Sequence, residues 1–353
     1  MIFIKGQEDF WKKGGQESAV RHGAFAVALF VLTPVWLPDI LLIRRMTKMQ
    51  ISDYFVNGDI KGAIEYMRNR EEFKDILPAY IALFENCEYR TFEVPGLLND
   101  ILLLYQVYFR DVFYCGIQEA DAAYRLLSQL KALLNIPDAD ENLLVERLQS
   151  VFNENGYHAL FGKTQGYYGP YIWRHTVPIV YNVELPDGRA EYTVNILKDF
   201  VFCSWMDYLT FGRFGTKGWA SPDGTINCVE HANDFESEQF QISLLKHEAQ
   251  HVADMKQFPD ITPTELEYRA KLVELHYSNN AGLLQTFLSK ADESRTDDSH
   301  AMASARLKTE FANTEQTELS GIQARALELL HAHTKELEAK YDKKKQRTVV
   351  NPN

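Results

Sequence analysis

The chain has 353 residues, of which 46% are hydrophobic and 24% charged, proportions typical of a folded globular protein with core enough for two domains. Acidic side chains outnumber basic ones by 49 to 37, and the net charge of −12 disfavours nucleic acid as a partner. The four cysteines include no CxxC pair, so the sequence excludes a disulfide scaffold and favours a reducing, cytoplasmic location.

Residues 1–45 contain an apolar run at 24–43 that is long enough to cross a membrane. Three residues within the run oppose a membrane span, namely Pro34, Pro38 and Asp39. A membrane-anchored form is therefore an alternative to the cytoplasmic one. A further hypothesis is that synthesis begins at Met46 or Met49, where an ordinary amphipathic pattern starts.

Residues 46–155 are predicted to form a helical domain. Apolar residues recur there at three- and four-residue spacing, as in Ile60, Ala63, Ile64 and Met67. Prolines at three places divide the region into four or five helices, at Pro78, Pro95 and Pro137. The acidic stretch 138–141 is predicted to open the last of these helices.

The pattern changes after residue 155 to aromatic and β-branched residues, which indicates a small sheet. Two alternating runs within 179–197 flank Pro186-Asp187-Gly188 and predict a β-hairpin. A turn at 221–224 precedes a predicted strand at 225–230. This strand is interpreted either as an open sheet edge that could pair with an extended peptide or as an ordinary edge strand.

A helix is predicted from Asn233 or Asp234, with Glu236 completing a capping box, to about Lys256. It contains the sequence His247-Glu248-Ala249-Gln250-His251, which has the HExxH spacing. Two imidazoles four residues apart project from one helical face and can share a zinc ion. Phe240, Leu244 and Met255 continue the same stripe, so the histidines are predicted to face the protein interior.

A tetrahedral catalytic zinc site needs a third protein ligand and leaves a fourth position for water. Thr262, Pro263 and Glu265 predict the start of a second helix, with Glu265 occupied in a capping box. Glu267, about 200° further around this helix, is predicted to face the two histidines and is chosen as the third ligand. Glu265 and Glu274 remain alternatives, and Asp254 and Glu274 are possible partners that orient a ligand.

The HExxH motif followed by a glutamate on the next helix resembles the gluzincin clan of zinc metallopeptidases. The resemblance covers about residues 225–275. It implies that His247, His251 and Glu267 hold Zn²⁺, while Glu248 activates the metal-bound water for attack on a peptide carbonyl. The connection from His251 to Glu267 is short for this clan, so the loop at 258–263 must be tight.

The sequence thus predicts an α+β protein. A helical N-terminal region (46–155) precedes a zincin-like metallopeptidase domain (156–282), and a helical C-terminal extension (283–353) ends in a basic tail. The predicted function is zinc-dependent hydrolysis of peptide bonds in a protein or peptide substrate. The alternative is a non-catalytic helical binding protein with a structural or vestigial metal site.

Overall fold

The structure is a computed structural model that describes residues 51–221, 223–296, 298–312 and 318–350. The fold combines helices with a five-stranded sheet, in agreement with the predicted α+β class. None of the helices in these residues is both long and apolar enough to cross a membrane. The apolar run 24–43 and the alternative starts at Met46 and Met49 lie outside the described residues.

The described residues fall into two compact units. The first, here the N-terminal unit, comprises the chain up to Thr176 together with Leu197–Thr216. The second, here the C-terminal unit, comprises Val177–Ile196 and the chain from Lys217 onward. Residues 156–176 thus group with the preceding helices, whereas the sequence analysis assigned them to the zincin-like region. The predicted C-terminal extension groups with the HExxH helix rather than forming a unit of its own.

The N-terminal unit is mainly helical. After a helical segment at 51–56, its helices before the sheet are α1 (Ile60–Arg68), α2 (Leu77–Tyr80), α3 (Gly96–Phe113), α4 (Glu119–Leu133) and α5 (Glu141–Glu154). A 3₁₀ turn at Glu71–Phe73 and a π-helical turn at Ile81–Glu85 lie among them. Pro95 immediately precedes α3, and Asp140 caps α5 by accepting a hydrogen bond from the amide of Leu143 at 2.8 Å. The acidic stretch therefore opens the last helix as predicted.

The strands are β1 (His158–Leu160), β2 (Lys163–Thr164), β3 (Tyr167–Tyr168), β4 (Tyr171–Leu185), β5 (Gly188–Cys203), β6 (Gly218–Ala220) and β7 (Ile226–Val229). A short helix, α6 (Ser204–Thr210), follows β5. The sheet order is β1-β4-β5-β7-β6, while β2 and β3 form a separate pair. The predicted hairpin is confirmed, with strands longer than expected that turn at Pro186-Asp187.

The strand predicted at 225–230 is present as β7, but its position in the sheet differs from the prediction. It lies between β5 and β6, so it is not an edge strand. β6 occupies the edge instead, and Gly218 and Ala220 pair with Cys228 and Ile226. The three-residue β6 carries too little alternation to be recognised from its sequence alone.

The motif helix begins later than predicted. A π-helical segment, Gln239–Lys246, leads directly into α7 (His247–Gln257). The hydroxyl of Ser237 accepts a hydrogen bond from the amide of Phe240 at 3.1 Å and so takes the capping role. The prediction of the cap at Asn233 or Asp234 is wrong.

Asn233 forms hydrogen bonds to the sheet instead of capping the helix. Its side-chain amide donates hydrogen bonds to the carbonyls of Lys217 and Val229, both at 2.8 Å. These residues adjoin β6 and β7, so Asn233 ties together the ends of two strands. A tertiary partner outweighs the local capping preference.

The second predicted helix is present as α8 (Pro263–Tyr277), and its capping box between Thr262 and Glu265 is confirmed. Three helices follow: α9 (Leu283–Leu288), α10 (Ser299–Phe311) and α11 (Leu319–Val350). α8 packs against α7, α10 and α11, and its central residues are buried on every side. α8 is therefore the core helix of the C-terminal unit.

Candidate metal centre

His247 and His251 occupy the first and second turns of α7. Because residues four apart share a face of a helix, their rings lie together, with centroids 4.6 Å apart and planes nearly perpendicular. Their exposed fractions are 1% and 0%. The prediction that both histidines face the interior agrees with this placement.

Glu267 lies on the next helix, one turn after the capping box of α8, and is fully buried. Its Oε2 atom lies 3.5 Å from His247 Nε2, and its Oε1 atom lies 3.5 Å from His251 Nε2. One possible ligand atom from each residue falls within 4.8 Å of the other two. These three residues could hold a metal ion, and they are the three selected from the sequence.

Several polar atoms at this position have no hydrogen-bond partner although they are buried: His247 Nε2, His251 Nε2, Glu248 Oε1 and both carboxylate oxygens of Glu267. Buried nitrogen and oxygen atoms are rarely left unpaired, because each loses its hydration without compensation. Imidazole nitrogens and a carboxylate are also a donor set that divalent transition metals accept. The residues present thus fit a metal ion.

Glu274 lies behind His247 and does not belong to the group of three. Its Oε1 atom is 2.6 Å from His247 Nδ1, so the imidazole donates its Nδ1 hydrogen to the carboxylate. Nε2 is then the ring nitrogen that faces Glu267, at 3.5 Å from Oε2. Glu274 therefore has the ligand-orienting position proposed from the sequence, and its alternative as a third ligand does not fit.

Two other sequence interpretations fail in the structure. Glu265 accepts hydrogen bonds from both the amide and the hydroxyl of Thr262, so its carboxylate is used locally. Asp254 is buried, but it pairs with Arg269 Nε at 2.9 Å and accepts from Gln250 rather than orienting a ligand. Asp254 and Arg269 instead connect α7 to α8.

Glu248 is fully buried beside the two histidines. Its Oε2 atom accepts a hydrogen bond from the amide of Ala220, on edge strand β6, at 2.9 Å. Burial raises the pKa of Glu248 to about 8, and the nearby carboxylates of Glu267 and Glu274 act in the same direction. One oxygen is thus fixed by the sheet, while the other has no partner.

The metal-ligand candidates have strongly shifted pKa values. Burial favours neutral His247, but the nearby carboxylates of Glu267 and Glu274 outweigh this effect and raise its pKa to about 10. Burial and the neighbouring His247 lower the pKa of His251. Burial alone would raise the pKa of Glu267, yet His300, His247 and His251 together hold it well below its ordinary value.

Two residues that were not predicted as part of the site contact Glu267. His300 Nδ1 on α10 lies 2.7 Å from Glu267 Oε2, and Lys271 Nζ lies 3.7 Å from the same oxygen. Lys271 is four residues after Glu267, so helical spacing could have identified it. His300 is far away in sequence, and no motif connects it to the others.

Comparison with known proteins finds no relative: no family model, no curated protein and no solved structure matches the chain. The chemistry of the buried cluster is therefore the basis for a functional proposal.

Proposed function

We propose that the chain is a zinc-dependent hydrolase that cleaves peptide bonds in a protein or peptide substrate, with a zincin-like arrangement in the C-terminal unit. The observation that carries this proposal is the convergence of three buried residues, His247, His251 and Glu267, whose facing nitrogen and oxygen atoms have no hydrogen-bond partner. The resemblance of their sequence pattern to gluzincins supports the choice of reaction.

Zinc suits this donor set because it accepts imidazole nitrogen and carboxylate oxygen, and three protein ligands leave one position open. When bound, the ion would lower the pKa of a water molecule and polarise the carbonyl of the scissile bond. His247 is prepared for this role by Glu274, which holds its Nδ1 hydrogen.

Glu248 is proposed as the general base. Its Oε2 atom is held by the Ala220 amide, which orients Oε1 without using it. Oε1 takes a proton from the attacking water and then delivers it to the nitrogen of the departing amine. One water is consumed, the C–N bond breaks, and Glu248 returns to its initial state.

Substrate access needs a local opening, since His247, His251, Glu267 and Glu248 are each at most 1% exposed. This closed arrangement also favours the rival function, a binding protein with a structural metal. Structural zinc sites have four protein ligands, usually rich in cysteine, and do not need a carboxylate such as Glu248. At this site three ligands converge, namely His247, His251 and Glu267.

The first experiment measures zinc content by elemental mass spectrometry in wild type, His251→Ala and Glu267→Ala. His331→Ala serves as control, because His331 is about half exposed on α11 and contacts Asp187 instead. We expect about one zinc per chain in wild type and control, and much less in the other two variants. No zinc in reconstituted wild type would overturn the proposal.

A second experiment separates hydrolysis from metal binding. Glu248→Gln keeps the shape of the side chain but removes the base, so we expect retained zinc and loss of peptide cleavage. The assay follows new amino termini in a mixture of peptides from a protein digest. Undiminished cleavage by this variant would refute the role of Glu248, and zinc without any cleavage by wild type would favour the binding protein.

A further inference from the structure

Glu267 receives a contact that the proposed chemistry does not use. His300 is the second residue of α10, where Asp298 caps the helix by accepting a hydrogen bond from the His300 amide at 3.0 Å. This cap fixes the backbone of His300. The ring then lies with Nδ1 2.7 Å from Glu267 Oε2, closer to this oxygen than His247 Nε2 or Lys271 Nζ.

The contact with His300 affects the orientation of the Glu267 carboxylate. The last torsion of a glutamate side chain is broad, so the carboxylate plane is not set by the helix itself. In the structure each oxygen faces a different histidine, Oε2 facing His247 and Oε1 facing His251, both at 3.5 Å. A group that contacts one of the two oxygens favours this orientation of the carboxylate plane over other rotations about the last torsion.

We propose that His300 is a positioning residue that holds Glu267 Oε2 and thereby orients the carboxylate as a metal ligand. The inference rests on the metal site of the proposed function, and it adds a helix from the C-terminal extension to that site. His300 is not one of the three possible ligands, and in this proposal it acts through Glu267.

Lys271 also lies near this oxygen, but it is less able to set the plane of the carboxylate. Its Nζ atom lies 3.7 Å from Glu267 Oε2, beyond a hydrogen bond, at the end of a flexible side chain. Nζ also lies 3.3 Å from His300 Nδ1 and over the ring of Phe287. Lys271 therefore contributes positive charge near Glu267, whereas His300 orients the carboxylate.

His300 lies at the boundary between solvent and the buried cluster. Its side chain is 26% exposed, while Glu267 is fully buried. A residue that contacts both solvent and a buried ligand can be replaced without opening a large cavity in the core. Substitutions at His300 thus test orientation with little effect on packing.

The test compares His300→Ala with His300→Asn in the full chain, with His331→Ala as matched control. The amide nitrogen of asparagine stands where Nδ1 of histidine stands, so His300→Asn can keep the contact. Two readouts are used, zinc affinity by competition with a chelator and the visible absorption spectrum of the cobalt(II)-loaded protein. Circular dichroism of the metal-free proteins shows that each variant is folded.

We expect His300→Ala to weaken zinc binding by about 10- to 100-fold and to change the cobalt spectrum, because partners of metal ligands have effects of this size. His300→Asn should recover most of the affinity and the wild-type spectrum. Equal affinity and spectrum in wild type and His300→Ala would overturn the positioning role while leaving the proposed metal site intact. Failure of wild type to bind either ion would overturn both.

Discussion

At the scale of single residues, Glu274 and Glu265 lie on the same helix but have different partners. Comparing their substitutions tests whether the contact of Glu274 with His247 contributes to zinc binding. Glu274 holds His247 Nδ1 at 2.6 Å, whereas Glu265 caps the helix through Thr262. Glu274→Ala should weaken zinc binding by about 10- to 100-fold, because His247 loses the contact that fixes its tautomer and orientation. The measurement is chelator competition followed at constant pH.

Glu265→Ala is the control for this prediction, since it removes a carboxylate from the same helix without touching the cluster. It should cost some stability and leave zinc affinity nearly unchanged. Equal zinc affinity in the two variants would show that the Glu274 contact does not contribute to metal binding.

The residues selected from the sequence were those whose position follows from local rules. His247 and His251 share a face because of the helical period, and the capping box fixes where α8 begins and hence where Glu267 points. His300 and the Ala220 amide reach the site through tertiary packing. No local spacing predicts them.

At the scale of elements, the winding of the segment before α7 differs from the prediction. Apolar periodicity in this region predicts one continuous α-helix, but Gln239–Lys246 is π-helical and therefore wound more widely. Such segments often occur beside functional sites in helices, and their extra residue changes which side chains share a face. Sequence periodicity over eight residues is too short to distinguish the two windings.

The capping box of α8 makes a prediction for this element. Thr262 accepts a hydrogen bond from the amide of Glu265, and Glu265 accepts one from the amide of Thr262. Thr262→Ala removes the first of these and should lower the free energy of unfolding by about 1 kcal/mol. Urea denaturation measures the change. Thr286→Ala, at an exposed position of α9, should change stability by less than about 0.5 kcal/mol, and an equal loss in both would contradict the capping role.

Asp254 and Arg269 form a buried ion pair between α7 and α8, and Arg269 also donates to Thr334 on α11 at 3.0 Å. Removing either partner leaves an uncompensated buried charge, so Asp254→Leu and Arg269→Met should each cost about 3 to 5 kcal/mol of unfolding free energy. The double variant should cost clearly less than the two single losses together. Urea denaturation of all four proteins forms the cycle, and additive losses would show that the pair is not coupled.

At the scale of the whole molecule, the free energy of unfolding depends on pH through buried groups such as His333. His333 on α11 is 3% exposed and accepts a hydrogen bond at Nε2 from Arg306 on α10 at 3.2 Å. Burial, with the positive charges of Arg306 and Arg269, lowers its pKa from 6.5 to about 4. Its partner on α11, His331, is about half exposed, as expected for histidines two residues apart on a helix.

The sign of the pH effect follows from this lowered pKa. Below pH 6.5 the unfolded chain takes up a proton at His333, while the folded protein does not until pH falls to about 4. Stability is therefore unaffected by this group above pH 6.5 and is lost as pH falls, by about 2 kcal/mol between pH 6.5 and 5. His333→Gln keeps an acceptor for Arg306 but cannot take up the proton. Urea denaturation of both proteins at pH 7, 6 and 5 should show wild type losing more stability than the variant toward low pH. Parallel losses would refute the assignment, because every other titrating group is common to the two proteins.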